Sequence, residues 1–167
     1  NWLVKQGLLT NNPTSGMRIK QKVSLKAART SFSDNDIQTI FSTSIFLDHE
    51  FLHDYQYWLP LLALYSGARL EELCQLYIAD IKFDTDVPYF NIDDVYQEQH
   101  LKNNSSRRAI PIHPELIKLG FDTFVEQKKQ HGEIKLFGYL VPQRQKFGHK
   151  PGQWFSKYKR RCGIDDT

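Results

Sequence analysis

The sequence predicts an α+β domain, mostly helical, with a small three-stranded antiparallel sheet packed beside the helices. Three observations predict it. Residues 54–65 form a strongly apolar run that is too long for a typical strand and reads as a buried helix. Between residues 88 and 112 the pattern changes to short β-branched and aromatic stretches separated by turn residues. Helical signals resume after residue 112, so the strands are contiguous rather than interleaved with helices, which is the α+β order.

The elements follow in order. Residues Trp2 to Leu9 read as the end of a helix, broken at Asn11-Asn12-Pro13. Residues 13–30 carry Pro, Gly, Ser and many cations with little periodicity. Residues 1–30 are therefore expected to be the end of an upstream region and a basic linker, and residues 31–167 the compact domain. Ser33 is a plausible N-cap with Asp36 three residues on, followed by Ile37, Ile40 and Phe41 at helical spacing. Ser66-Gly67 ends the buried helix, and a new helix begins near Leu70 with Leu70, Leu73, Cys74 and Tyr77 on one face. Residues 89–92, 95–101 and 107–112 read as the three strands, with Asp93-Asp94 and Asn103 to Ser106 supplying the turns. Pro114 opens a helix expected to run to residue 130, closed by His131-Gly132, and a last helix is expected over 151–162 with Gly163 as its stop.

Composition excludes several classes. With 167 residues, 40% hydrophobic and 25% charged, the chain can bury a core. It has no apolar run long enough to cross a membrane and no secretory pattern at its start, so a membrane partner is not expected and a cytoplasmic setting in a prokaryotic host is. Cys74 and Cys162 have no metal-ligand spacing and suggest inert thiols in a reducing compartment. The net charge of +3 hides a segregation. Residues 1–32 hold six bases and no acid, residues 33–100 hold thirteen acids and two bases, and residues 144–161 hold seven bases and no acid. Basic blocks of this kind suit a nucleic-acid backbone, because each neutralised phosphate releases counterions.

One of the two bases in the acidic stretch is Arg69, in Ser66-Gly67-Ala68-Arg69-Leu70-Glu71-Glu72-Leu73. It stands at a helix start, where the helix dipole disfavours a cation. Two readings fit it. One is an intrahelical ion pair with Glu72. The other is a phosphate-binding arginine oriented by Glu72, since a planar guanidinium can hold two phosphate oxygens at once.

The run from Leu61 to Leu73 resembles the first active-site box of tyrosine recombinases, the phage-type integrases: an apolar helix, Thr/Ser-Gly-x-Arg, then an acid three residues on. The resemblance implies that Arg69 is the first catalytic arginine, Glu72 its supporting acid, and Asp80-Ile81 the exit of that helix toward the sheet. Lys102 to Ile112 resembles the family's second box, a hairpin lysine followed after a polar turn by Arg-x-Ile-Pro-Ile. Lys102 would then be the general acid that protonates the leaving 5′ oxygen of DNA, although a lysine at a hairpin tip is also read simply as solvated. Arg107 and Arg108 can contact phosphates or pair across strands with Asp93, Asp94 or Glu98.

Phe155 to Ile164 is similar to the helix before the family's His-x-x-Arg box, so Lys157, Lys159, Arg160 and Arg161 are candidate DNA contacts. That box and the tyrosine nucleophile are expected beyond Thr167, and none of the eight tyrosines is assigned as nucleophile. The resemblance implies site-specific recombination of double-stranded DNA through a covalent 3′-phosphotyrosine for the parent protein, self-association on DNA, and neither metal nor cofactor. By itself this chain is expected to bind DNA and to be catalytically incomplete. A non-enzymatic DNA-binding module is the alternative. A remote one is a zinc peptidase, because His49-Glu50-Phe51-Leu52-His53 is a literal H-E-x-x-H with Glu72 nineteen residues after His53.

Overall fold

A computed structural model of the chain describes residues 2–17, 31–101 and 103–164. The chain divides between Ser31 and Phe32 into two units. In the first, helix α1 (Trp2–Lys5) is a single turn with no buried residue, shorter than the helix expected to Leu9. Asn12 Oδ1 accepts from the Thr14 N–H, which organises the turn around Pro13. Much of the expected basic linker, residues 18–30, lies outside the described residues.

The second unit is an α+β domain. Helix α2 (Asp34–Phe41) starts as its sequence predicts: Ser33 Oγ accepts from Asp36 N–H at 3.2 Å, and Asp36 accepts from Ser33 N–H at 2.9 Å. A one-turn helix α3 (Ser44–Leu47) follows. Helix α4 (Asp54–Ser66) is the apolar run, and Tyr55, Leu59, Leu61 and Leu62 on it are all buried. It continues through Pro60, and its packing partners are α5 (Leu70–Cys74), α6 (Pro114–Lys118) and α8 (His149–Arg161). Burying a side chain such as Leu62 or Phe90 contributes roughly 2 kcal/mol each, enough to make this three-sided packing the centre of the core.

The sheet has the expected three antiparallel strands in sequence order, but not the expected three segments. They are β1 (Ile81–Lys82), β2 (Tyr89–Ile92) and β3 (Arg108–Pro111), with Phe90 opposite both Ile81 and Ile110, and Ile92 opposite Arg108. Residues 95–101 form no strand. Their backbone groups are taken by side chains instead: Gln99 Oε1 accepts from Tyr96 N–H, and the buried Gln75 Oε1 accepts from His100 N–H at 2.6 Å. Tyr96 also stacks on Tyr77 with ring centres 3.9 Å apart. These contacts fold the segment onto the end of α5, and a two-residue strand at 81–82 takes the place beside β2.

The helix expected over 114–130 is two. Helix α6 stops at Lys118, Gly120 takes a left-handed φ of 86°, and α7 (Phe121–Gln130) starts afresh. The break turns Phe121 fully into the core. Helix α8 begins two residues before its expected start. Its Tyr158 reaches back to the first helices, donating to Ile40 O at 2.7 Å and bonding Thr43 Oγ1 at 2.6 Å. Cys74 is buried, and burial pushes its thiol far above the ordinary range, in keeping with an inert role. Among the described residues no helix is long and apolar enough to cross a membrane.

Candidate anion site around Glu72

The Ser66-Gly67-Ala68-Arg69 stretch is an elbow between α4 and α5. Ser66 Oγ donates to Leu62 O and accepts from Ala68 N–H at 3.1 Å, while Gly67, with φ 63°, donates its N–H to Ala63 O. Only glycine adopts that left-handed geometry without a steric cost, and it reverses the chain within one residue. Arg69 then sits in extended geometry as the N-cap of α5.

Glu72, one turn into α5, gathers the cations. It is buried, with 5% of its side chain exposed, whereas the side chains of Arg69 and Arg108 are 58% and 37% exposed. Its Oε2 accepts from the Arg69 backbone N–H at 3.0 Å and from Arg108 Nη2 at 2.8 Å; its Oε1 accepts from Arg69 Nη1 at 2.7 Å. Burial is the largest single influence on its titration and opposes ionisation. The hydrogen bonds from Arg108 and Arg69 together outweigh it, so the carboxyl titrates below its usual range. The ion pair of Arg69 with Glu72 is therefore formed, and its guanidinium still reaches solvent.

Arg69, Arg108, Gly67, Asn103, Ser105 and Ser106 line a concave pocket of about 260 Å³. Ser106 closes its floor, accepting from Arg69 Nη1 at 3.2 Å and donating to Asn103 Oδ1, while its carbonyl accepts from Arg108 Nη1 at 2.8 Å. Two guanidinium groups share one carboxylate, so the pocket keeps an excess of positive charge with neutral hydroxyl groups beside it. That combination fits a tetrahedral oxyanion. A larger groove of about 310 Å³ lined by Ile37, Leu59, Leu64, Trp154 and Phe155 is almost entirely apolar and offers no such chemistry.

The other predicted residues separate. Lys102 lies outside the described residues. Arg107, read as either a phosphate contact or a cross-strand partner, is engaged by Asp93 at 3.1 Å and by Asp94 at 2.5 Å rather than by Glu72. None of the four candidate cations on α8 lines the pocket. Lys157, Arg160 and Arg161 are exposed, but Lys159 is buried with its ammonium 5.8 Å from the Phe32 ring centre. Sequence reasoning missed Ser106, Asn103 and Gly67 as pocket walls. The polar run 103–106 marked a turn but gave no sign that it folds back onto α5.

The H-E-x-x-H run does not form the helix its chemistry needs. Residues 48–53 are turn and irregular backbone, and His49 has a left-handed φ of 55°. His49 lies against Tyr57, while His53 stacks between Tyr55 and Tyr139. Among the described residues no three His, Cys, Asp or Glu side chains are close enough to hold a metal ion.

Compared with protein-family models, with curated proteins and with solved structures, the chain matches none of them.

Proposed function

We propose that this chain binds the phosphodiester backbone of double-stranded DNA through the Arg69–Arg108 pocket, as part of a protein that works like a tyrosine recombinase. The observation that carries the reading is the sharing of buried Glu72 by two guanidinium groups that remain open to solvent. A carboxylate that holds two arginines fixes their planes without cancelling both charges, so both are preorganised for a phosphate. In a complete site such arginines would stabilise the pentavalent phosphate of a transesterification through a 3′-phosphotyrosine. Lys102, on the segment just before the pocket's polar turn, would supply the proton to the leaving 5′ oxygen.

A second reading has its own support: a DNA-binding module without chemistry. The described residues that line the pocket include no tyrosine, the nucleophile that a 3′-phosphotyrosine step needs. Under this reading the chain grips a phosphate and does not cleave its ester.

The test is a titration of a fluorescent duplex, followed by anisotropy, with the whole chain. Arg69→Ala should weaken binding about tenfold, the loss of one charge-assisted phosphate contact. Lys118→Ala, which removes an exposed cation paired with Glu115 outside the pocket, should not. Equal effects of the two variants would count against a specific pocket, and stoichiometric zinc in the purified protein would overturn the reading. Incubation with a nicked or suicide duplex separates the two forms of the proposal, because only a cleaving protein would leave a covalent protein–DNA adduct.

A further inference from the structure

We infer that the two-residue hairpin at Gln143–Lys146 is a second contact to the DNA backbone, and that Glu71 is the positioning residue that holds it. This rests on the duplex reading above, but on different residues.

The hairpin is tightly made. Gln143 and Lys146 exchange both backbone hydrogen bonds, at 2.9 and 3.0 Å, and the two residues between them, Arg144 and Gln145, have φ of 50° and 63°. Two consecutive left-handed residues are the turn that Asn-Gly makes without strain. Here the chain places Arg-Gln instead, so the turn geometry does not account for the arginine.

The hairpin is also anchored from below. Glu71 accepts from Phe147 N–H at 2.7 Å and from Gly148 N–H at 2.8 Å. A Cβ on Gly148 would come within 2.9 Å of Glu71 Oε2 and 3.2 Å of Leu70 Cγ, so a side chain there would push the Glu71 carboxylate from its place. Phe147 is buried, and the Lys135 ammonium stands 5.0 Å from its ring centre. The anchor belongs to α5, the helix that Arg69 opens and Glu72 occupies. One short helix therefore fixes both the anion pocket and the hairpin.

What the hairpin presents is positive. Arg144 and Lys146 are exposed, His149 and Lys150 follow at the exposed start of α8, and the sequence from 144 to 161 contains no acid. Among the described residues no carboxylate lies within ion-pair distance of Arg144, Lys146 or Lys150; Glu71 instead holds backbone N–H groups. Uncompensated cations on a hydrogen-bonded turn suit a regular line of phosphates.

The experiment uses the 167-residue chain and a fluorescent duplex titrated over a range of salt. Arg144→Gln/Lys146→Gln should weaken binding by at least about fivefold. It should also reduce the slope of log K against log salt by about two, one counterion per lost contact. Lys118→Gln/Lys129→Gln, which removes exposed cations outside both the pocket and the hairpin, should leave the slope unchanged. Wild-type affinity and slope in the hairpin variant would overturn the contact. Glu71→Ala should weaken binding in the wild-type background and add nothing in the Arg144→Gln/Lys146→Gln background. An equal loss in both backgrounds would overturn the positioning role and leave Glu71 as a general stabiliser. If Arg69→Ala weakens binding while the hairpin variant does not, this inference fails and the pocket stands. If the hairpin variant alone weakens it, the hairpin contact stands and the pocket reading fails.

Discussion

Glu72 Oε2 lies 2.8 Å from Arg108 Nη2, across thirty-six residues of sequence, while Glu72 Oε1 holds Arg69 only three residues away. One carboxylate thus joins the start of α5 to the first residue of β3. Glu72→Gln leaves an amide that cannot satisfy both guanidinium groups, and its N–H would face a cation. Because both arginines are partly solvated, the loss should fall below that of a fully buried pair, about 2 kcal/mol in urea denaturation at pH 7. The pH dependence follows from the lowered carboxyl. A folded-state pKa below the ordinary 4.5 gives stability that is complete above that value and is lost as pH falls through the lower folded value. The acid arm of the stability profile should therefore be shallower in Glu72→Gln, and an unchanged arm would show that Glu72 is not held ionised by its arginines.

Adjacent arginines should behave differently. Arg108 shares Glu72 and lines the pocket, whereas Arg107 is taken by Asp93 and Asp94. Arg108→Ala should weaken duplex binding about tenfold, as Arg69→Ala does, and Arg108→Lys should recover little, because a point charge cannot bridge Glu72 and a phosphate as a planar fork can. Arg107→Ala should change affinity less than about twofold, the size expected for a cation already paired at the surface. Anisotropy titrations that ranked Arg107 above Arg108 would reverse the assignment.

The sequence made the local features of this site readable and hid the long-range ones. Ser33 with Asp36, Gly67 after an apolar helix, and Arg69 with Glu72 are all contacts within four residues, so spacing exposes them. The strand at 89–92 was legible because its alternation is regular and its two inward residues, Phe90 and Ile92, are apolar. Residues 95–101 carry similar strand-forming residues but are captured by Gln75 and Tyr77, partners distant in sequence that no local pattern reveals. Gly120 splits a helix that periodicity would have continued, because burial of Phe121 outweighs propensity. Arg107 and Arg108 look alike in sequence, and only the register of β3 against β2 sends one to Asp94 and the other to Glu72.

Tyr158 offers a test of how α8 is held to the rest of the domain. Its O–H donates to Ile40 O, which leaves Thr43 Oγ1 to donate to Tyr158 Oη. Tyr158→Phe removes both bonds at once and leaves the Thr43 hydroxyl and the Ile40 carbonyl without this partner. The expected cost is about 1–2 kcal/mol, read from the urea midpoint, with the ring packing against Trp154 retained. A variant as stable as the parent would mean that water replaces both bonds at no cost.

The elbow that aims Arg69 can be tested at Gly67. Its φ of 63° lies in the left-handed region, and a Cβ there would meet no atom within 4 Å. The cost of Gly67→Ala is therefore conformational rather than a clash, about 1 kcal/mol. Gly67→Asn should cost clearly less, because asparagine tolerates that region. The elbow also has a second fastening, Ser66 Oγ, which bonds both the last turn of α4 and Ala68 N–H. With that fastening intact, Gly67→Ala should keep duplex affinity within about twofold at temperatures where it stays folded. Ser66→Ala should instead lose affinity as well as stability, since it frees the residue next to Arg69. Denaturation midpoints and anisotropy measured on the same samples distinguish the two, and an affinity loss in Gly67→Ala equal to that in Ser66→Ala would show that the glycine, not the serine, sets the direction of the arginine.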